Sequence, residues 1–166
     1  MALLELYFVR HGLAGVRKAG MDDGQRPLTR AGVRRTRAVA QRLLDVGLRF
    51  DGLLTSPLVR AHQTADILHA VGLAPRPEGF PLLAPGGDVR GFLAWLRRRG
   101  REGKPRLGLV GHMPDLAAWA ETLLFGEAHG RLVLKKAGIL GLTLPAAGSP
   151  LGRCSLFLLT PPRLLL

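Results

Sequence analysis

Cysteine occurs once in this sequence of 166 residues, at Cys154, which rules out an internal disulfide framework and any multi-cysteine zinc site. Long apolar runs are missing too, since none approaches the roughly 18 residues needed to span a bilayer. Glu5 and Arg10 fall where the apolar stretch of a secretion signal would lie, so a cytoplasmic protein without membrane association is expected. Acidic residues are few, 12 against 24 basic ones, and the formal net charge is +12. Lysine contributes only Lys18, Lys104, Lys135 and Lys136; arginine supplies the rest. Such an excess attracts phosphorylated substrates, acidic protein surfaces or nucleic acid alike. The joint abundance of Arg, Leu, Ala, Gly and Pro also fits codon bias, so charge alone names no partner. Nucleic acid is not expected, because the chain has no recognition motif and no basic stripe with interleaved aromatics.

What is present is the composition of an ordinary globular protein, 47% hydrophobic and 22% charged, in a length that suits one domain over residues 1–166. The stretch from Leu3 to Gly12 reads LLELYFVRHG, an apolar run broken only by Glu5, and predicts a strand buried on both faces of a parallel sheet. A loop from Leu13 to Leu28 holds Lys18, Asp22, Asp23 and Arg26. Thr29 then caps a helix to Val46, with Val33, Val39, Ala40, Leu43 and Leu44 on its buried side. Asp51 to Thr55 reads as a second strand. Ser56 as cap and Pro57 at the first helical position open a helix that Gly72 closes. The Pro- and Gly-rich residues 73–87 read as a rim with a short strand near Arg76 to Phe80. A helix from Asp88 to Arg99 ends in a basic cluster, Arg97 to Arg101, which suits a solvated helix C-terminus. Arg106 to Gly111 is a further buried strand, and Pro114 and Asp115 open a helix to Leu124. Leu132 to Leu134, Gly138 to Leu144 and Cys154 to Leu159 read as strands, with Pro145 to Gly152 as a hairpin loop. The tail from Pro161 to Leu166 has no assignment. Alternating strands and helices predict a three-layer α/β/α sandwich, its central sheet mostly parallel with an antiparallel C-terminal edge.

Three strand ends in this scheme carry reactive or anion-binding groups. The first delivers Arg10 and His11. The second leads to Arg60 on the first turn of a helix, where free amides and the helix dipole favour an anion. A later one delivers His112. Open α/β sheets bind ligands beyond the carboxyl ends of their strands, so two histidines and two arginines would converge at one rim. Like charges so gathered oppose each other unless an anion joins them.

The motifs RHG (Arg10–Gly12), RPLT (Arg26–Thr29), SPLVRAHQTA (Ser56–Ala65) and VGHMP (Val110–Pro114) resemble those of the histidine phosphatase, or phosphoglycerate mutase-like, superfamily. Within it the likeness is to the short bacterial phosphohistidine phosphatases of the SixA type, and APGGDV (Ala84–Val89) resembles that subgroup as well. The resemblance runs through nearly the whole chain in order. It implies a metal-independent phosphatase without cofactor, in which His11 takes the phosphoryl group as a covalent phosphohistidine that water hydrolyses. Arg10 and Arg60 would clamp the phosphoryl oxygens, and His112 would donate a hydrogen bond to them. Gly12 would let backbone approach the substrate, and Arg26 would add a peripheral contact. His62, His69 and His129 match no motif and read as structural or surface residues, and Asp66 reads as helix surface.

One departure bears on the substrate. Many members of the superfamily protonate the leaving oxygen with a carboxylic acid, but Leu82 stands where the subgroup alignment places a glutamate. Either Glu78 or Asp88 reaches in, or no dedicated acid exists. The second case favours phosphohistidine, whose imidazole leaving group, with a free pKa of about 6.5, collects a proton from solvent. The expected substrate is therefore a phosphorylated signalling protein, by analogy a histidine phosphotransfer domain. The rival readings are a small-molecule phosphomonoesterase acting on a sugar or nucleotide-related phosphate, and a non-catalytic binder of phosphorylated ligands.

Overall fold

In the computed structural model, which describes residues 3–99, 103 and 105–166, the first apolar run forms β1 (Glu5–Arg10). Its continuous hydrophobicity has a direct cause. Leu6 and Phe8 face one core cluster while Tyr7 and Val9 face another, so both sides of the strand are covered. β1 pairs in parallel with β4 (Arg106–Gly111), which pairs in parallel with β2 (Gly52–Thr55), and β3 (Glu78–Gly79) lies parallel at the edge. On the other side β1 pairs antiparallel with β5 (Ile139–Thr143), and β5 with β6 (Ser155–Thr160). The strand order is β3-β2-β4-β1-β5-β6. This is the mostly parallel sheet with an antiparallel C-terminal edge that the sequence predicts.

Helices α1 (Arg30–Asp45) and α2 (Val59–Ala70) cover one face, where Val39, Leu43, Ala61 and Leu68 meet Tyr7, Leu53 and Val110. Helices α3 (Val89–Arg99) and α4 (Asp115–Phe125) cover the other, where Phe92, Leu96, Leu116 and Trp119 meet Leu6, Phe8, Leu54 and Leu109. Thr29 caps α1 as expected, its hydroxyl accepting from the Gly32 amide at 2.9 Å. No helix among the described residues is long and apolar enough to cross a membrane.

Two local expectations are corrected. Ser56 does not cap α2, which begins at Val59 after Leu58; its hydroxyl accepts instead from the Leu58 amide and is taken up by a histidine described below. Leu132 to Leu134 form no strand. The amides of His129, Gly130, Arg131 and Leu132 all donate to the carboxylate of Glu121 on α4, so this segment spends its hydrogen bonds on a side chain. The C-terminal tail forms a short turn, Pro162–Leu164, with Pro162 buried and Leu165 packed against the α1/α2 core. In the basic cluster, Arg99 pairs with Glu78 and lies over the Trp95 ring, while Arg101 lies outside the described residues.

Candidate active site

Because β2, β4 and β1 are neighbours, their carboxyl ends place Ser56, His112 and His11 side by side. The backbone pairing continues past the strands: the His11 amide donates to the Gly111 carbonyl at 3.1 Å, and the Ser56 amide to that of Val110 at 2.9 Å. The His11 and His112 rings lie with centroids 5.2 Å apart and planes inclined by 53°. Both are buried, at 6% and 4% exposure, in a protein whose other histidines are not.

The His11 ring is fixed by its neighbour. Nδ1 lies 2.7 Å from the Gly12 carbonyl oxygen, and since a carbonyl only accepts, Nδ1 carries the proton and Nε2 keeps its lone pair. Burial lowers the His11 pKa to about 3; the Gly12 carbonyl opposes this, and His112, Arg60 and Arg10 add to it. The His11 ring is thus neutral and oriented at neutral pH, with a lone pair on Nε2. Gly12 is held in turn, its amide donating to Thr64 Oγ1 at 3.0 Å while that hydroxyl donates to the Arg60 carbonyl at 2.8 Å. A Cβ on Gly12 would lie 2.3 Å from Thr36 Oγ1, so any larger residue would push the Thr36 side chain aside where α1 crosses the end of β1.

His112 is oriented from the second strand end. Its Nε2 lies 2.7 Å from Ser56 Oγ, and that hydroxyl already accepts from the Leu58 amide. Among the described residues the Ser56 hydrogen has no other acceptor than His112 Nε2, and with that donation the neutral ring carries its proton on Nδ1. That Nδ1 is buried and has no hydrogen-bond partner. Burial, followed by the Arg60 charge, lowers the His112 pKa to about 4, with Asp23 opposing. The buried Nε atoms of Arg10 and Arg60 also lack partners. Three buried donors left unpaired near the His11 ring are costly unless an anionic ligand accepts from them. That is the chemistry of a phosphoryl-binding site.

The arginines are aimed by backbone. Arg10 Nη1 donates to the Leu134 carbonyl at 3.0 Å, and Arg60 Nη1 to the Asp23 carbonyl at 2.8 Å. The Asp23 carboxylate, unremarked in the sequence beyond its place in a loop, bridges Arg60, Arg26 and Arg17. Hydrogen bonds from Arg17 and Arg26 hold its pKa down at about 2. It is an ionised anchor for Arg60, so the cluster is not without a carboxylate. Arg26, expected as a peripheral substrate contact, gives its donors to Asp23 and to the Gly15 carbonyl. Sequence reasoning also missed Ser56 as the partner of His112, Thr64, and Glu121. For Ser56 a signal existed: a serine at the end of a strand beside the strand that ends in a histidine.

Leu82 sits in the turn Pro81–Leu83 and packs against the α3/α4 core. Glu78 forms a two-pronged pair with Arg99, and Asp88 accepts from the Arg90 and Gly91 amides at the start of α3. His62 pairs with Asp66, and His69 Nδ1 donates to the Ala74 carbonyl.

A mostly parallel sheet whose strand ends gather a buried neutral histidine, a second histidine and two arginines defines a phosphoryl-handling α/β protein, and the chain belongs to the histidine phosphatase superfamily. The family model for branch 1 of that superfamily matches residues 6–78. An uncharacterised protein of Picosynechococcus sp. is 52% identical over 164 residues, 98% of this chain and 99% of that one. The phosphohistidine phosphatase SixA of Escherichia coli K12 is 29% identical over 147 residues, 88% of this chain and 89% of its own. A solved structure of the protein histidine phosphatase SixA complexed with tungstate superposes with a TM-score of 0.83 at 27% identity, covering 98% of this chain and 99% of that one.

Proposed function

We propose that this protein is a metal-independent phosphatase that removes the phosphoryl group from phosphohistidine in another protein, through a covalent intermediate on His11. The observation that carries this reading is the His11 ring itself, buried, neutral, tethered through Nδ1 and flanked by unpaired donors of Arg10, Arg60 and His112. Membership of the superfamily supports phosphatase activity, and the likeness to SixA supports phosphohistidine as its substrate.

In the first half-reaction the Nε2 lone pair of His11 attacks phosphorus and a new N–P bond forms. The substrate N–P bond breaks, and its electron pair returns to the leaving imidazole nitrogen, which takes a proton from solvent. Arg10, Arg60 and His112 hold the phosphoryl oxygens in both halves. In the second half-reaction a water oxygen attacks phosphorus, the His11 N–P bond breaks, and phosphate leaves with His11 regenerated. No group in this scheme must act as a strong acid toward the leaving group. That agrees with the turn at Leu82 and with the engagement of Glu78 and Asp88 on α3.

The test compares hydrolysis of a histidine phosphotransfer domain phosphorylated on its histidine with hydrolysis of a simple alkyl phosphate, both in metal chelator. Turnover of the phosphohistidine, little of the alkyl ester, and a loss of about a thousandfold or more in His11→Ala are expected. Efficient alkyl turnover would move a small-molecule phosphomonoesterase ahead. Full activity in His11→Ala would remove the nucleophile from the scheme.

A further inference from the structure

Beside Arg10 the surface opens into a cavity of about 850 Å³ that the chemistry above does not use. Its apolar side chains include Leu13, Val133 and Leu159, all exposed, Val133 at 59%. Around them stand four exposed cations from three parts of the chain: Arg35 on α1, Lys135 and Lys136 before β5, and Arg163 in the C-terminal turn. None of the four forms an ion pair among the described residues, although carboxylates elsewhere hold Arg17, Arg26, Arg60, Arg99 and Arg106. The cavity and the phosphoryl site share a wall. Arg10 lines the one and serves the other, and the segment before β5 is pinned to the end of β1 by the Ala137 amide, which donates to the carbonyls of Arg10 and His11. Ala137 adopts a left-handed φ of 60°, a conformation that a non-glycine residue seldom takes and that tends to gather at functional sites.

The charges decide what fits. A small phosphate ester carries its negative charge on the phosphoryl group, and Arg10 and Arg60 already answer that. Four further unpaired cations call for a second set of anions attached to the leaving group. Exposed apolar side chains among them call for apolar partners on the same segment. A nucleic acid would bring the anions, but its bases stack on aromatic rings, and none lines this cavity. We propose that the cavity is the docking cleft for an acidic, amphipathic segment of the phosphorylated protein, read by charge and by apolar contact beside the phosphoryl site. The proposal rests on the phosphatase reading for what the docked protein delivers, but the cleft itself is testable without turnover.

The probe is a fluorescently labelled, unphosphorylated synthetic peptide with glutamates on one helical face and leucines on the other. A scrambled peptide of equal charge and a single-stranded oligonucleotide of equal charge serve as competitors. Anisotropy titration should show salt-sensitive binding of the amphipathic peptide to the wild type. Binding should weaken at least about tenfold in the double variant R35E/R163E. Val133→Gln, which removes an apolar contact and leaves the charge of the cleft unchanged, should weaken it as well. Turnover of free phosphohistidine should stay unchanged in both variants, which also reports that they are folded. Equal peptide binding by wild type and variants would overturn the cleft, and so would preference for the oligonucleotide or the scrambled peptide. Groove-dependent peptide binding without phosphohistidine turnover by the wild type would sink the phosphatase reading and uphold the cleft.

Discussion

A histidine attacks phosphorus only while one ring nitrogen keeps its lone pair, so proton placement on His11 is the first thing that the site must settle. Two separate features do so. The Gly12 carbonyl selects the tautomer, and burial among His112, Arg60 and Arg10 lowers the pKa to about 3. An unshifted imidazole, with a pKa of about 6.5, would be only about one-tenth neutral at pH 5.5. In this protein His11 stays neutral there. Nuclear magnetic resonance of the imidazole nitrogens should therefore show His11 protonated on Nδ1 and bare on Nε2 from pH 8 down to pH 5, without titrating. A midpoint near 6.5 would contradict the assignment. Three further polar contacts support the site. Ser56 gives its proton to His112, Thr64 receives the Gly12 amide, and Asp23 ionises to anchor Arg60.

At the scale of elements, the segment before β5 depends on a single buried carboxylate. Glu121 is fully buried on α4, where burial alone would raise its pKa. The amides of Leu132, His129, Arg131 and Gly130 outweigh that effect and hold it at about 2. The same segment leads to Leu134, whose carbonyl holds Arg10. Glu121→Gln keeps the shape but offers one acceptor oxygen and turns an amino group toward the remaining amides. A loss of about 3 kcal/mol in urea denaturation is expected. Inhibition by inorganic phosphate should weaken too, because Arg10 loses its rest. Stability and phosphate inhibition both unchanged would show that the segment is held by other contacts. This clamp was invisible in the sequence for a physical reason. Leu132 to Leu134 look like a strand because they are apolar, and nothing local says that the amides of His129 to Leu132 belong to a glutamate on the preceding helix. The elements that were legible obey local rules: β1 is apolar on both sides because both faces are packed, and Thr29 precedes a helix because its hydroxyl closes the first turn. His11 and His112 were legible because each follows a buried strand directly. Ser56 was misread as a cap because its partner arrives from another strand.

For the whole molecule, two buried neutral histidines make folding depend on pH, and the sign follows from their shifts. His11 and His112 have folded pKa values of about 3 and about 4, below the ordinary 6.5. Below pH 6.5 the unfolded chain binds protons that the folded chain refuses, so stability falls as pH drops through this window and is level above it. Each histidine contributes a slope approaching about 1.4 kcal/mol per pH unit. Asp23 and Glu121, both depressed to about 2, add their own decline below the ordinary carboxylate range. Acid therefore acts first on the site and only later on its anchors. Urea midpoints should be level between pH 8 and 7 and should decline between pH 6 and 4.5. In His11→Asn, which cannot take up that proton in either state, the decline should lose roughly half its slope. Saturating inorganic phosphate should raise the midpoints throughout, since an anion bound only by the folded state stabilises it by mass action. An unchanged slope in His11→Asn would mean that His11 already shares its proton with solvent. The buried, preset nucleophile on which the mechanism depends would then be lost with it.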